Sequence, residues 1–166
     1  MKAVAEIAVI LGSVAMLLGV MHLVRLAARR WDWPAEVQRK AVHIATGAYA
    51  LTLPVLFDRP WPVLLLVGVT VAVMLWLRST TASGGVGGVL HGVGRKSYGD
   101  MLFAIAVGFL FFRSAGNPVL FALPVAVLTI SDAAAALAGS AYGRRIFTVE
   151  AGTKSYEGVA IFFLVT

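Results

Sequence analysis

An aspartate stands inside an apolar run, Thr129-Ile130-Ser131-Asp132-Ala133-Ala134-Ala135-Ala136-Leu137-Ala138-Gly139. A carboxylate at membrane depth costs about 2.5–3.5 kcal/mol even on lenient insertion scales, so it demands a cation as partner. Two readings meet that demand. Asp132 is a metal ligand or catalytic group, or it is the buried partner of a basic residue such as Arg39. The small residues around it, from Ser131 to Ser140, provide a surface for close helix packing.

Three further clusters carry chemistry. Arg39, His43 and Gly47 recur at i, i+4 and i+8, so one helix face presents them together, with Lys40 beside them. The glycine admits a neighbouring helix or a ligand. Alternatively, Arg39 and Lys40 anchor a helix to headgroups and His43 is an interfacial histidine. The tripeptide Lys-Ser-Tyr occurs twice, at Lys96-Ser97-Tyr98 before Asp100 and at Lys154-Ser155-Tyr156 before Glu157. Each copy opens an apolar run. Ser97 with Asp100 forms a capping box, and Ser155 caps likewise, with Glu157 at the positive end of the helix dipole. The same free N–H groups with a lysine nearby form an anion site, and two such sites on one membrane face would grip a polyphosphate. The segment from Ser79 to Gly94 is glycine-rich. It is either a phosphate cradle or a flexible linker, and it lacks the Gly-Lys-Ser/Thr of a nucleotide-binding P-loop.

The elements that must position these residues are apolar. The chain of 166 residues is 60% hydrophobic and 13% charged, which excludes a soluble domain and a soluble binding role. It has no cysteine, hence no disulfide and no thiolate chemistry. The fold class is all-α, a polytopic helical membrane protein in a single integral domain. Spans are expected near residues 3–26, 42–57, 61–77, 101–112 and 119–139, with a sixth from 159 that reaches only Thr166 and so reads as cut short. The first run is too long for a cleaved leader and reads as an anchor.

The net charge of +6 is a topology signal, not one for nucleic acid. Arg25, Arg29, Arg30, Arg39, Lys40, Arg78, Arg95, Lys96, Arg144, Arg145 and Lys154 fall after spans one, three and five. Lys2, Arg59 and Arg113 fall on the other side. The N-terminus is then outside and all the candidate residues face the cytosol, in the plasma membrane of a prokaryote.

Arg39-Lys40-x-x-His43, Arg95-Lys96-Ser97-Tyr98-Gly99-Asp100, Ser131-Asp132-Ala133-Ala134-Ala135 with Gly139, Tyr142-Gly143-Arg144, and Lys154-Ser155-Tyr156-Glu157-Gly158 occur in that order. From Arg39 onward the chain resembles the CTP-dependent lipid-alcohol kinases, which include phytol, farnesol, dolichol and CTP-dependent diacylglycerol kinases. That group is similar in turn to the phosphatidate cytidylyltransferases. Ser131 stands where the family usually has glycine, and Asp100 where it usually has glutamate.

The resemblance implies transfer of the γ-phosphoryl of CTP to a membrane lipid alcohol, an isoprenoid alcohol or diacylglycerol. It implies Mg²⁺ held by Asp132 with Glu157 or Asp100. It implies nucleotide contacts from Arg39, Lys40, Lys96, Ser97, Gly139, Gly143, Arg144, Lys154 and Ser155. Asp132, His43, Lys154 and Glu157 are the catalytic candidates, with His43 or a carboxylate accepting the alcohol proton. Two alternatives remain at this stage: phosphatidate cytidylyltransferase activity, and a non-enzymatic ion-coupled carrier or membrane assembly subunit.

Overall fold

Glycine, proline and asparagine break the apolar sequence into helices. The computed structural model describes residues 2–80, 99–149 and 152–166. The helices are α1 (Lys2–Trp31), α2 (Ala35–Ala50), the single turn α3 (Leu53–Leu56), α4 (Pro60–Thr80), α5 (Gly99–Arg113), α6 (Pro118–Tyr142) and α7 (Tyr156–Val165). Strands β1 (Ile146–Val149) and β2 (Gly152–Ser155) pair antiparallel between α6 and α7. The structure is therefore helical, as expected, with one hairpin where the sequence reads as a polar loop.

Among the described residues two helices are long and apolar enough to cross a membrane, Glu6–Trp31 and Pro118–Tyr142. Pro60–Trp76 and Tyr156–Val165 are apolar but shorter. The expected span 42–57 is not one helix. Pro54 has no N–H to give to the Ala50 carbonyl four residues back, so α2 ends there and the chain turns through Leu51 and Thr52 into α3. The Thr52 hydroxyl donates to the Tyr49 carbonyl at 2.7 Å and helps close the turn. At the start of α6, Asn117 Oδ1 accepts from the backbone N–H groups of Val119 and Leu120 at 3.0 and 3.3 Å, and Pro118 sits where no N–H is needed.

The helices form a ring. α1 packs on α2 and α4, α4 on α5, α5 on α6, and α6 back on α2; α7 and the hairpin lie against α6. The apolar core, with Leu53, Phe57, Val63, Phe121 and Val125, sits toward the end where the short turns lie. Outward faces are apolar too: Leu102, Ile105, Phe109 and Phe112 on α5 are about half to two-thirds exposed. Helices that are apolar inside and out belong in hydrocarbon, and the chain is a membrane protein.

Two glycine contacts fix the geometry that matters for the site. A Cβ at Gly47 on α2 would collide with the Thr129 side chain on α6. A Cβ at Gly158 on α7 would stand 2.8 Å from the Ala135 carbonyl oxygen of α6. Both crossings bring backbones closer than any larger residue allows. They hold α2 and α7 close against the helix that carries Asp132, and both line one cavity with it.

Candidate active site

The polar face of α2 turns inward because its sequence alternates at helical spacing. Arg39, Lys40, Val42, His43, Gly47 and Ala50 are its buried residues. Arg39 is held by Glu36 one turn earlier: Nη2 donates to Oε1 at 2.8 Å and Nε to Oε2 at 3.2 Å. This two-pronged pair orients the guanidinium as well as partnering it.

Lys40 donates to Asp132 Oδ2 across the α2–α6 interface. The Lys40 side chain is 5% exposed, whereas that of Asp132 is 49% exposed. Lys40 is thus the cation in direct contact with Asp132, and half of the Asp132 side chain still opens into a cavity. His43 Nε2 lies 3.1 Å from the Leu128 carbonyl oxygen and 3.8 Å from Asp132 Oδ2. A carbonyl only accepts, so Nε2 carries a proton in this contact. The Phe103 ring packs against His43 with centroids 4.6 Å apart.

Two turns further along α6, near Gly139, Ser155 caps α7. Its Oγ accepts from the Gly158 N–H at 3.1 Å. Gly139 and Gly143 face this serine: a Cβ on either would lie 2.9 Å from Ser155 Oγ. Glu157 accepts from the Arg145 N–H at 3.2 Å and ties the first strand of the hairpin to α7. Its carboxyl is held below the usual carboxylate range by its own backbone N–H, and further by the N–H groups of Arg145 and Arg144.

A cavity of about 1090 Å³ lies between these parts. Glu36, Arg39, Lys40 and His43 wall it from α2, Asp100 and Phe103 from α5, Asp132 and Gly139 from α6, and Lys154 and Ser155 from the hairpin. It is as large as the upper range of small-ligand sites. A second, partly open cavity of about 90 Å³ is lined mainly by apolar side chains of α1, α2, α4 and α5. His43, Asp100 and Phe103 wall both.

The structure therefore brings Asp132, His43, Arg39, Lys40, Asp100, Gly139, Lys154 and Ser155 to one cavity. Gly143, Arg144 and Glu157 are not in its wall; they shape the junction between α6, the hairpin and α7. Lys96 and Ser97 lie outside the described residues. Among the described residues no three His, Asp or Glu side chains gather closely enough to form an all-protein metal cage. Two carboxylates, Asp132 and Asp100, on the wall of one large cavity suit the other mode, in which Mg²⁺ takes one or two carboxylates and completes its shell with phosphates and water.

Sequence reasoning passed over two residues. Glu36 was legible as an i, i+3 partner of Arg39. Phe103 was not, because nothing distinguishes it locally from the other phenylalanines of an apolar helix.

No family model matches the chain, and no solved structure matches it. It is 34% identical, over 173 aligned positions, to the protein named phytol kinase of Synechocystis sp.. The alignment covers 99% of this chain and 69% of that protein. With that identity along nearly its whole length, the chain belongs to the phytol kinase family and is a phosphotransferase acting on an alcohol.

Proposed function

We propose that the protein transfers the γ-phosphoryl of CTP to the hydroxyl of a membrane isoprenoid alcohol of the phytol, farnesol or dolichol type. One observation carries this reading beyond the family relation. A large polar cavity and a narrow apolar one share the wall formed by His43, Asp100 and Phe103. A nucleotide needs the first, a hydrocarbon tail needs the second, and the hydroxyl must meet the phosphate where they join. The donor CTP rests on the resemblance of the motifs. The six-span topology rests on the apolar blocks of the sequence, and its orientation, with the N-terminus outside and the cavity toward the cytosol, on the distribution of basic residues.

In this reading the alcohol oxygen attacks the γ-phosphorus, the bond to the bridging oxygen breaks, and CDP leaves. Such transfer is mostly positioning and charge neutralisation. Lys154 from the hairpin and Arg39 from α2 offset the charge of the triphosphate. Mg²⁺, when bound, supplies further neutralisation at the phosphates, and Asp132 with Asp100 would hold it. His43 takes the hydroxyl proton at Nδ1, while its Nε2–H stays on the Leu128 carbonyl and faces the Asp132 carboxylate.

The test uses purified protein in detergent with isoprenoid alcohols and CTP labelled on either the α- or the γ-phosphate. Label from the γ position alone, recovered in a lipid phosphate monoester, is the expected result. Label from the α position in the lipid would mean cytidylyl transfer and would overturn the proposal. Lys154 offers a narrower check, since it is exposed on the hairpin and walls the cavity. Lys154→Ala should raise the KM for CTP by about tenfold, the effect of losing a contact of roughly 1.4 kcal/mol, with the KM for the alcohol near its wild-type value. An unchanged CTP dependence would remove Lys154 from the nucleotide site.

A further inference from the structure

The buried contacts of α1 change partner along its length. Toward the short turns, Ile10 of α1 shares one buried cluster with Val63 and Leu66 of α4. Nearer His43, Met21 packs instead on Val42 of α2, and that second cluster holds no described residue of α4. Helix α4 shows the same change from its own side: no residue from Val67 to Trp76 is buried. Val73 and Met74 wall the apolar cavity yet belong to neither cluster. The other neighbour of α4 keeps its hold. A Cβ at Gly108 of α5 would stand 3.2 Å from a Val67 methyl, and α4 packs more extensively on α5 than on α1.

We infer that the open side of the apolar cavity is the gap between α1 and α4, and that the acceptor's hydrocarbon tail passes through it into the lipid, between Leu17 and Met21 on one helix and Val73 and Met74 on the other. This rests on the proposed alcohol phosphorylation. The occupant is a hydrocarbon because the lining is mainly apolar and because the cavity shares His43 and Asp100 with the polar cavity, where a terminal hydroxyl would meet the phosphate. Beyond the gap the outward faces stay apolar, with Leu23 on α1 and Leu75 on α4 exposed. At 1.5 Å per helical residue the α2 wall from His43 to Ala50 is about 10 Å long. That length holds only the part of the tail next to the hydroxyl. The remainder lies among lipid chains, which are as apolar as the protein, so length beyond the gap adds little to binding.

Two measurements test this with the protein in phospholipid vesicles. The first uses a geranylgeraniol analogue with a photoreactive diazirine on its second isoprene unit, and maps the label after irradiation. Label on α1 and α4 around Leu17, Met21, Val73 and Met74 is expected; label confined to α5 and α6 would overturn the inference, since the tail would then leave through the polar cavity. The second uses the absence of native cysteine. Leu17→Cys/Val73→Cys is bridged by a reducible bismaleimide. Bridging should lower the rate of geranylgeraniol phosphorylation at least about tenfold, the low end of what one misfit group costs in an apolar site, and reduction should restore it. A bridged protein that works at the unbridged rate would overturn the inference. A wild-type protein that phosphorylates no alcohol would overturn the proposed function instead, and photolabelling, which needs binding alone, would still report the path of the tail.

Discussion

Asp132→Asn should reduce kcat at least about a hundredfold while the protein still inserts and binds alcohol. The substitution keeps size and leaves an oxygen to accept from Lys40, so the α2–α6 contact persists. What it removes is the negative charge on a side chain whose exposed half faces the large cavity. Loss of one preorganised charged group at a transferring phosphoryl costs about 10²–10³ in rate. Packing damage would instead appear as loss of protein from the membrane fraction. Turnover of the variant at wild-type levels, measured as phosphate incorporated into lipid, would show that Asp132 serves only as the partner of Lys40. The same assay across Mg²⁺ concentrations separates metal binding from charge alone: a metal ligand shifts the Mg²⁺ requirement upward, and a purely electrostatic group leaves it in place.

Lys40→Met should affect stability as well as turnover. Lys40 is buried and its ammonium is joined to a carboxylate 92 residues away in sequence. Removing one partner of a fully buried pair costs about 3–5 kcal/mol, because the other charge is left uncompensated. Half of the Asp132 side chain is open to the cavity, so solvent relieves part of that cost, and about 1–3 kcal/mol is expected. Thermal unfolding in detergent gives the measurement. The double variant Lys40→Met/Asp132→Asn should recover part of the lost stability, since no unpaired charge remains, while staying inactive. Strict additivity of the two single changes would show that the pair does not couple.

The two variants together separate the structural from the chemical part of Asp132. Lys40 meets the carboxylate's need for a cation at one oxygen. The exposed half of the group is then free of the obligation to be buried, and it is that half which the cavity presents to a ligand. The same division holds at α7. Gly139, Gly143 and Gly158 are engaged in close packing around the capping Ser155, whereas Lys154, one residue earlier, projects from the hairpin into the cavity wall.

The amino-acid sequence by itself determined the apolar, helical character of the chain, because length and hydropathy of each run are local properties. It determined that Arg39, His43 and Gly47 share a face, because helical spacing alone requires it, and that face is buried as a unit. It also determined the Ser155 cap. The hairpin was within reach: Ile146-Phe147-Thr148-Val149 is β-branched and aromatic, and Gly152 adopts φ +116°, which suits glycine at a strand's start. Its four-residue strands are too short to stand out from a loop.

Only the tertiary structure decided which base pairs with Asp132. Arg39 and Lys40 are adjacent in sequence and point about 100° apart around α2, so the choice depends on how that helix is rotated against α6. That rotation is set where Gly47 meets Thr129. It sends Arg39 back to Glu36 and Lys40 across to Asp132. The meeting of the two cavities at His43, Asp100 and Phe103 likewise exists only when α2 and α5 are packed into the ring, because no residue's local sequence records which cavity it will face.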